Sequence, residues 1–102
     1  MKPCLRRYRW DELALDKVTD MVACKAIATN HGTVTQAYYK KGTTVPCHEH
    51  ARDITVYVLE GALRIHVGHG SETLRQGDVL VVPAGVAHEA ESLDDTFVMT
   101  FS

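Results

Sequence analysis

Residues 42–61, GTTVPCHEHARDITVYVLEG, decide the fold, together with residues 77–88, GDVLVVPAGVAH, which answer them later in the chain. In the first segment His48 and His50 lie two apart in a β-branched neighbourhood. Side chains two apart on a strand project from one face, so both imidazoles point to the same side. His88 follows the strand-forming run 79–82 and the turn signal Pro83-Ala84-Gly85. Three histidines from two strands converge only if those strands share a sheet or a barrel wall. Imidazole is the commonest protein ligand for divalent transition metals, so convergence creates a metal site.

The rest of the chain fits a β-protein. Residues 5–10 read as a short edge strand, and Asp11 as the N-cap of a single helical turn over 10–13. Residues 21–29 and 33–40 read as strands flanking the turn Asn30-His31-Gly32. Residues 44–50 follow, with Pro46 placing them at an edge or a strand start. Residues 54–60, ITVYVLE, form the clearest strand, and 63–67 pair with them in a hairpin closed at Gly61. Strands at 72–74, 79–82, 87–92 and 96–101 complete the set. Short strands with turn signals every eight to twelve residues mean an all-β sandwich or barrel.

Length and composition agree. At 102 residues the chain makes one domain, and burying roughly 60–65% of its unfolded surface gives it one compact core. Hydrophobic content of 45% and charged content of 24% fit a soluble globular protein. The longest apolar run, 79–83, falls far short of the ~20 residues of a spanning helix. The start, MKPCLRRYRWDE, has basic residues without an apolar segment behind them, which does not read as a secretory signal. A formal net charge of −2 gives no reason to expect nucleic acid. Cys4, Cys24 and Cys47 form no CxxC pair, and an odd count cannot close fully into disulfides. Reduced thiols in the cytoplasm are the simplest reading, with Cys47 facing away from the histidine pair as a packing residue. An N-terminal strand rich in aromatic and basic residues, 6–10, leaves an edge that a second copy would cover, so a homodimer is expected.

The spacing carries a family resemblance. Gly42, His48, His50, Ile54 and Gly61 fall at the intervals of the first cupin motif (42–61), and Gly77, Pro83, Gly85, His88 and Ser92 at those of the second (77–92). The two patterns cover about half the chain, in order. The resemblance implies a small jelly-roll β-barrel, a single cupin domain over 1–102, often dimeric, with one divalent transition metal inside. Carried over residue by residue, the ligands are His48, His50 and His88, and the ion is nickel, iron, zinc, manganese or copper.

Two positions depart from the pattern. The family's usual fourth ligand, a glutamate, is replaced by Ile54, and the asparagine that often closes the second motif by Ser92. Asp53 is one residue off and would need a bulge to turn inward. Gln36, on the preceding strand, is an alternative oxygen donor. A neutral three-histidine set leaves open coordination positions and disfavours hard ions such as Mg²⁺. His31, His66 and His69 read as surface residues, Tyr57 as outer packing, and Arg52 as the partner of Asp53 or Glu49, with an acidic substrate as its other possible contact.

These observations frame two functions. In the first, a metal polarises an oxygen of a small chelating metabolite, a sugar acid, a keto or hydroxy acid or a diketone. Isomerisation, ring-opening or dioxygenation follows. In the second, the barrel is a non-catalytic binding or sensing module, with or without metal. No general base besides the histidines is evident.

Overall fold

The computed structural model describes residues 5–102, so Cys4 lies outside the described residues. A 3-10 turn, Trp10–Glu12, precedes ten strands: β1 Asp16–Lys17, β2 Val22–Thr29, β3 Gly32–Tyr39, β4 Thr44–His48, β5 Ile54–Glu60, β6 Ala62–Val67, β7 Gly70–Arg75, β8 Val79–Val82, β9 His88–Ser92 and β10 Thr96–Phe101. They form a six-stranded sheet in the order β1-β2-β3-β10-β5-β8 and a four-stranded sheet in the order β4-β9-β6-β7. All pairings are antiparallel. Two such sheets facing each other form the jelly roll expected from the strand pattern. None of the described helical residues makes a helix long and apolar enough to cross a membrane.

Alternation sets which side chains enter the space between the sheets. In β5, Val56 and Val58 are buried while Tyr57 is turned outward. Val98 of β10 stands directly opposite Val58, and these two are the most deeply buried side chains, at 1% and 0% exposure. Ala37, Leu63, Ile65 and Leu74 complete the cluster from both sheets. Cys24, Tyr39, Ile54, Leu80 and Ala90, partly buried, pack against it.

Several sequence expectations need correction. Residues 5–9 form no strand, and Leu5 is 90% exposed. Without apolar alternation facing a sheet, the Arg-rich segment has nothing to bury. The 3-10 turn is capped by Arg9, not Asp11, which lies inside the turn and accepts a hydrogen bond from Arg9 Nε at 3.3 Å. The expected hairpin between 54–60 and 63–67 is absent. The strand β5 pairs with β8 and β10, whereas β6 pairs with β7 and β9. Gly61 (φ +92°) is instead the corner where the chain leaves one sheet for the other. A Cβ there would meet Asp95 O at 2.3 Å, so the corner requires glycine. The true hairpin is β6–β7, and its second strand begins at Gly70, before the expected start at 72.

The pair Val58 and Val98 carries a stability prediction. Val58→Ala removes two buried methyl groups opposite an equally buried partner and should cost about 2 kcal/mol. Urea unfolding measures it, and a loss under about 0.5 kcal/mol would mean that this layer is not the packed core.

Candidate metal centre

Strand β4 is an edge strand of the four-stranded sheet, as Pro46 requires, because its missing N–H leaves no ladder bond unmade there. Its pairing with β9 runs Thr44↔Glu91 and Val45↔Ala90, breaks register past Val45, and resumes at His48↔His88. The irregularity spans Pro46 and Cys47, and it brings His48 and His88 side by side. The strand ends there, so His50 reaches the site from the loop over 49–53 and not from the regular strand that two-residue alternation presumed.

That loop is fixed to the turn of the second motif. Gly85 N–H donates to His50 O at 2.9 Å, and Ala84 N–H donates to Asp53 Oδ1 at 2.8 Å. Asp53 therefore holds the 83–85 turn with its carboxylate and is not a ligand. Ser92, where an asparagine was expected, is buried. Its hydroxyl donates to Lys40 O at 2.6 Å and accepts from Thr43 N–H at 3.0 Å, tying the turn before β4 to the end of β9. Arg52 pairs with neither Asp53 nor Glu49: its Nη1 donates to His31 O at 2.6 Å.

The outcome is a tight cluster. The candidate ligand atoms of His48, His50 and His88 lie within 4.8 Å of one another, with His88 buried and the other two half-buried. His48 Nδ1 is 2.9 Å from Pro46 O and His88 Nδ1 is 3.0 Å from Val86 O. A carbonyl only accepts, so these partners assign the proton of each ring to Nδ1 and leave Nε2 with its lone pair facing inward. His50 Nε2 is 3.0 Å from His48 Nε2, and in the free protein it is the donor of that contact. Burial, and then the neighbouring His48 and His88, hold the His50 pKa below the ordinary histidine value. The lowered basicity of His50 favours its neutral form, the form that binds a metal. Oriented imidazoles at this spacing fit a divalent transition metal.

The histidines open into a cavity of about 280 Å³ between the sheets. Opposite them, the six-stranded sheet presents Thr35, Ala37 and Tyr39 from β3, Cys24 from β2, Thr100 from β10 and Ile54 from β5. Ile54 faces the site, in the position of the replaced glutamate. Gln36 does not line the cavity, because its neighbours Thr35 and Ala37 take the inward face. Cys24, Thr35, Tyr39 and Thr100 are the polar groups that sequence reasoning missed. Strand alternation in 21–29 and 33–40 held that signal, but nothing outside the structure said which alternating set faces inward. Burial, then Asp16, pushes the Cys24 thiol up, and burial, then Cys24, pushes the Tyr39 phenol up. Both are uncharged at neutral pH. Cys47 is exposed, which corrects its expected packing role. His31 and His69 are exposed as expected, and His66 faces outward beside Glu91, with Nε2 to Oε1 at 3.4 Å.

A two-sheet jelly roll with three converging imidazoles defines a small β-barrel protein with histidines positioned to bind a metal ion. The chain belongs to the cupin domain family, whose match covers residues 36–101. An uncharacterized protein of Streptomyces coelicolor is 28% identical over 92 residues, covering 89% of this chain and 88% of that protein. Among solved structures, KdgF from Halomonas sp. superposes with a TM-score of 0.84 at 23% identity, covering 97% of this chain and 94% of that one. An RmlC-like cupin from Shewanella frigidimarina superposes with a TM-score of 0.86 at 20% identity, covering 99% and 92%. At those identities the structural likeness establishes the fold.

The tie through Asp53 is testable apart from the ligands. Asp53→Ala frees the 83–85 turn that leads into His88 and should weaken metal binding on the order of tenfold, while Asp53→Asn, which still accepts from Ala84, should retain most of it. Calorimetric titration of both variants measures the difference. Equal affinity for wild type and Asp53→Ala would show that the turn is held without the carboxylate.

Proposed function

We propose that residues 1–102 form a single cupin domain that binds one divalent transition metal per chain through His48, His50 and His88. It acts on a small oxygen-chelating metabolite, a sugar acid, keto or hydroxy acid or diketone, by isomerisation, ring-opening or dioxygenation. The observation that carries this reading is the set of three clustered histidines, two of them oriented by backbone carbonyls, lining a cavity between the sheets. When bound, the ion would act as a Lewis acid on a chelated oxygen, or support dioxygen chemistry if it is iron. The chain's own part is to orient the rings, to line the cavity with an aliphatic wall, and to offer Thr35, Thr100 and Tyr39 hydroxyls to the bound molecule.

One observation favours a non-catalytic binding barrel as the second reading. No carboxylate lines the cavity among the described residues, and Cys24 and Tyr39 are held protonated. No general base is then available besides the histidines. Turnover of small chelating acids and diketones by metal-loaded protein, lost in His50→Ala, supports the enzyme. Saturable binding without turnover across metals, with and without oxygen, supports the binding module. Cys24 and Cys47 are both free thiols, which supports a reducing, cytoplasmic setting.

Metal analysis tests the ligand set. Protein purified without chelator should carry about one equivalent of transition metal, and His48→Ala and His88→Ala should each lose it. Unchanged metal content in both variants would end the proposal. Ile54→Glu should tighten Mn²⁺ more than Ni²⁺, because it adds a hard oxygen donor where the cavity holds an alkyl group.

We further propose a homodimer, on a different surface from the expected 6–10 edge. Tyr38, Tyr57, Val79, Val81 and Phe101 are exposed on the outer face of the six-stranded sheet, and Tyr38 stacks on Phe97 at 4.5 Å between ring centroids. An apolar sheet face of this kind is matched by a second copy of itself. Light scattering at micromolar concentration should return the dimer mass for wild type and the monomer mass for Val81→Glu. A monomeric wild type would refute it.

A further inference from the structure

The cavity wall narrows the class of molecule that the site accepts. This inference rests on the metal reading above and deepens it. Beyond the three histidines, the lining among the described residues holds no lysine, arginine, aspartate, glutamate, asparagine or glutamine. Its polar contribution is four uncharged groups, Cys24, Thr35, Tyr39 and Thr100, and two of these are cross-strand neighbours, Thr35↔Thr100. The remaining wall is aliphatic, with Val56, Ile65 and Val98 at its base. Arg52, two residues beyond His50, is turned away to the β2–β3 turn by its bond to His31 O.

We infer that the site selects a small chelator with an aliphatic body and one pair of metal-directed oxygens, and discriminates against polyhydroxylated sugar acids. The physical reason is the asymmetry of polar burial. A hydroxyl or carboxylate that leaves water without a partner bears its full desolvation penalty, whereas an alkyl group gains from the same transfer. A sugar acid brings one polar group on nearly every carbon, and the four neutral groups of this wall cannot satisfy them all. An α-hydroxy acid or β-diketone with an alkyl chain confines its charge to the oxygens facing the histidines. Its chain then packs on the valines. A cavity of about 280 Å³ lies at the small end of ligand sites and matches a body of about six carbons.

Two probes with the same chelating head isolate the effect of the body: 2-hydroxyhexanoate and gluconate, both six-carbon α-hydroxy acids. Wild-type protein loaded with Co²⁺ reports on both events through its visible absorption, first as the metal enters and then as a probe displaces water from it. The expected result is a cobalt spectrum from wild type, absent in His48→Ala, that 2-hydroxyhexanoate shifts at a concentration at least about tenfold below that for gluconate. Gluconate binding equally well or better, with the cobalt spectrum intact, overturns this inference and leaves the metal reading standing. A cobalt spectrum that neither probe shifts also overturns it. Failure to form the cobalt spectrum overturns the metal reading, and this inference falls with it.

Discussion

The antiparallel pairing of β4 with β9 is the contact on which the site depends. It sets His48 beside His88 across two strands that are forty residues apart in sequence, and it does so at the end of an edge strand, where register is least constrained by neighbours. Two hydrogen bonds from the 83–85 turn, to His50 O and to the Asp53 carboxylate, close what the ladder leaves open. Without them the register irregularity past Val45 would leave the 49–53 loop free to carry His50 away. Ser92 does the same at the opposite end of the pair, binding the turn before β4 through Lys40 and Thr43. The edge strand and the loop after it are thus held at both ends, with the Asp53 and Ser92 side chains bonding to backbone outside the three histidines.

Division of labour between the sheets follows. The four-stranded sheet carries His48 and His88 and contributes little else that is polar to the cavity. The six-stranded sheet supplies the opposite wall, aliphatic with a few neutral donors. Such a wall keeps the effective dielectric low, which disfavours charged imidazoles and strengthens any interaction between a bound ion and an oxygen facing it. The lowered His50 pKa and the raised Cys24 and Tyr39 pKa values share their largest cause, burial beside the cavity.

The sequence by itself determined the all-β class, most strands and the three histidines, because those signals are local: two-residue alternation, glycine and proline at turns, and histidine spacing that matches two motifs. It also exposed Ile54 as a departure, and the structure puts that side chain inside the site. Local signals failed where a choice between sheets was made. The run over 54–67 with a glycine in the middle reads as a hairpin, yet Gly61 turns the chain into the other sheet, because both partners of β5, β8 and β10, lie far beyond β6 in sequence. Asp53 and Arg52 were assigned partners among their neighbours in sequence, and both found backbone atoms across the fold instead. Cys24, Thr35, Tyr39 and Thr100 were invisible as a group, since they share a wall only once β2, β3 and β10 are aligned in one sheet. What only the tertiary structure decided is therefore which alternating face looks inward and which strands are neighbours. Both depend on contacts between residues far apart in the chain, and no local pattern encodes them.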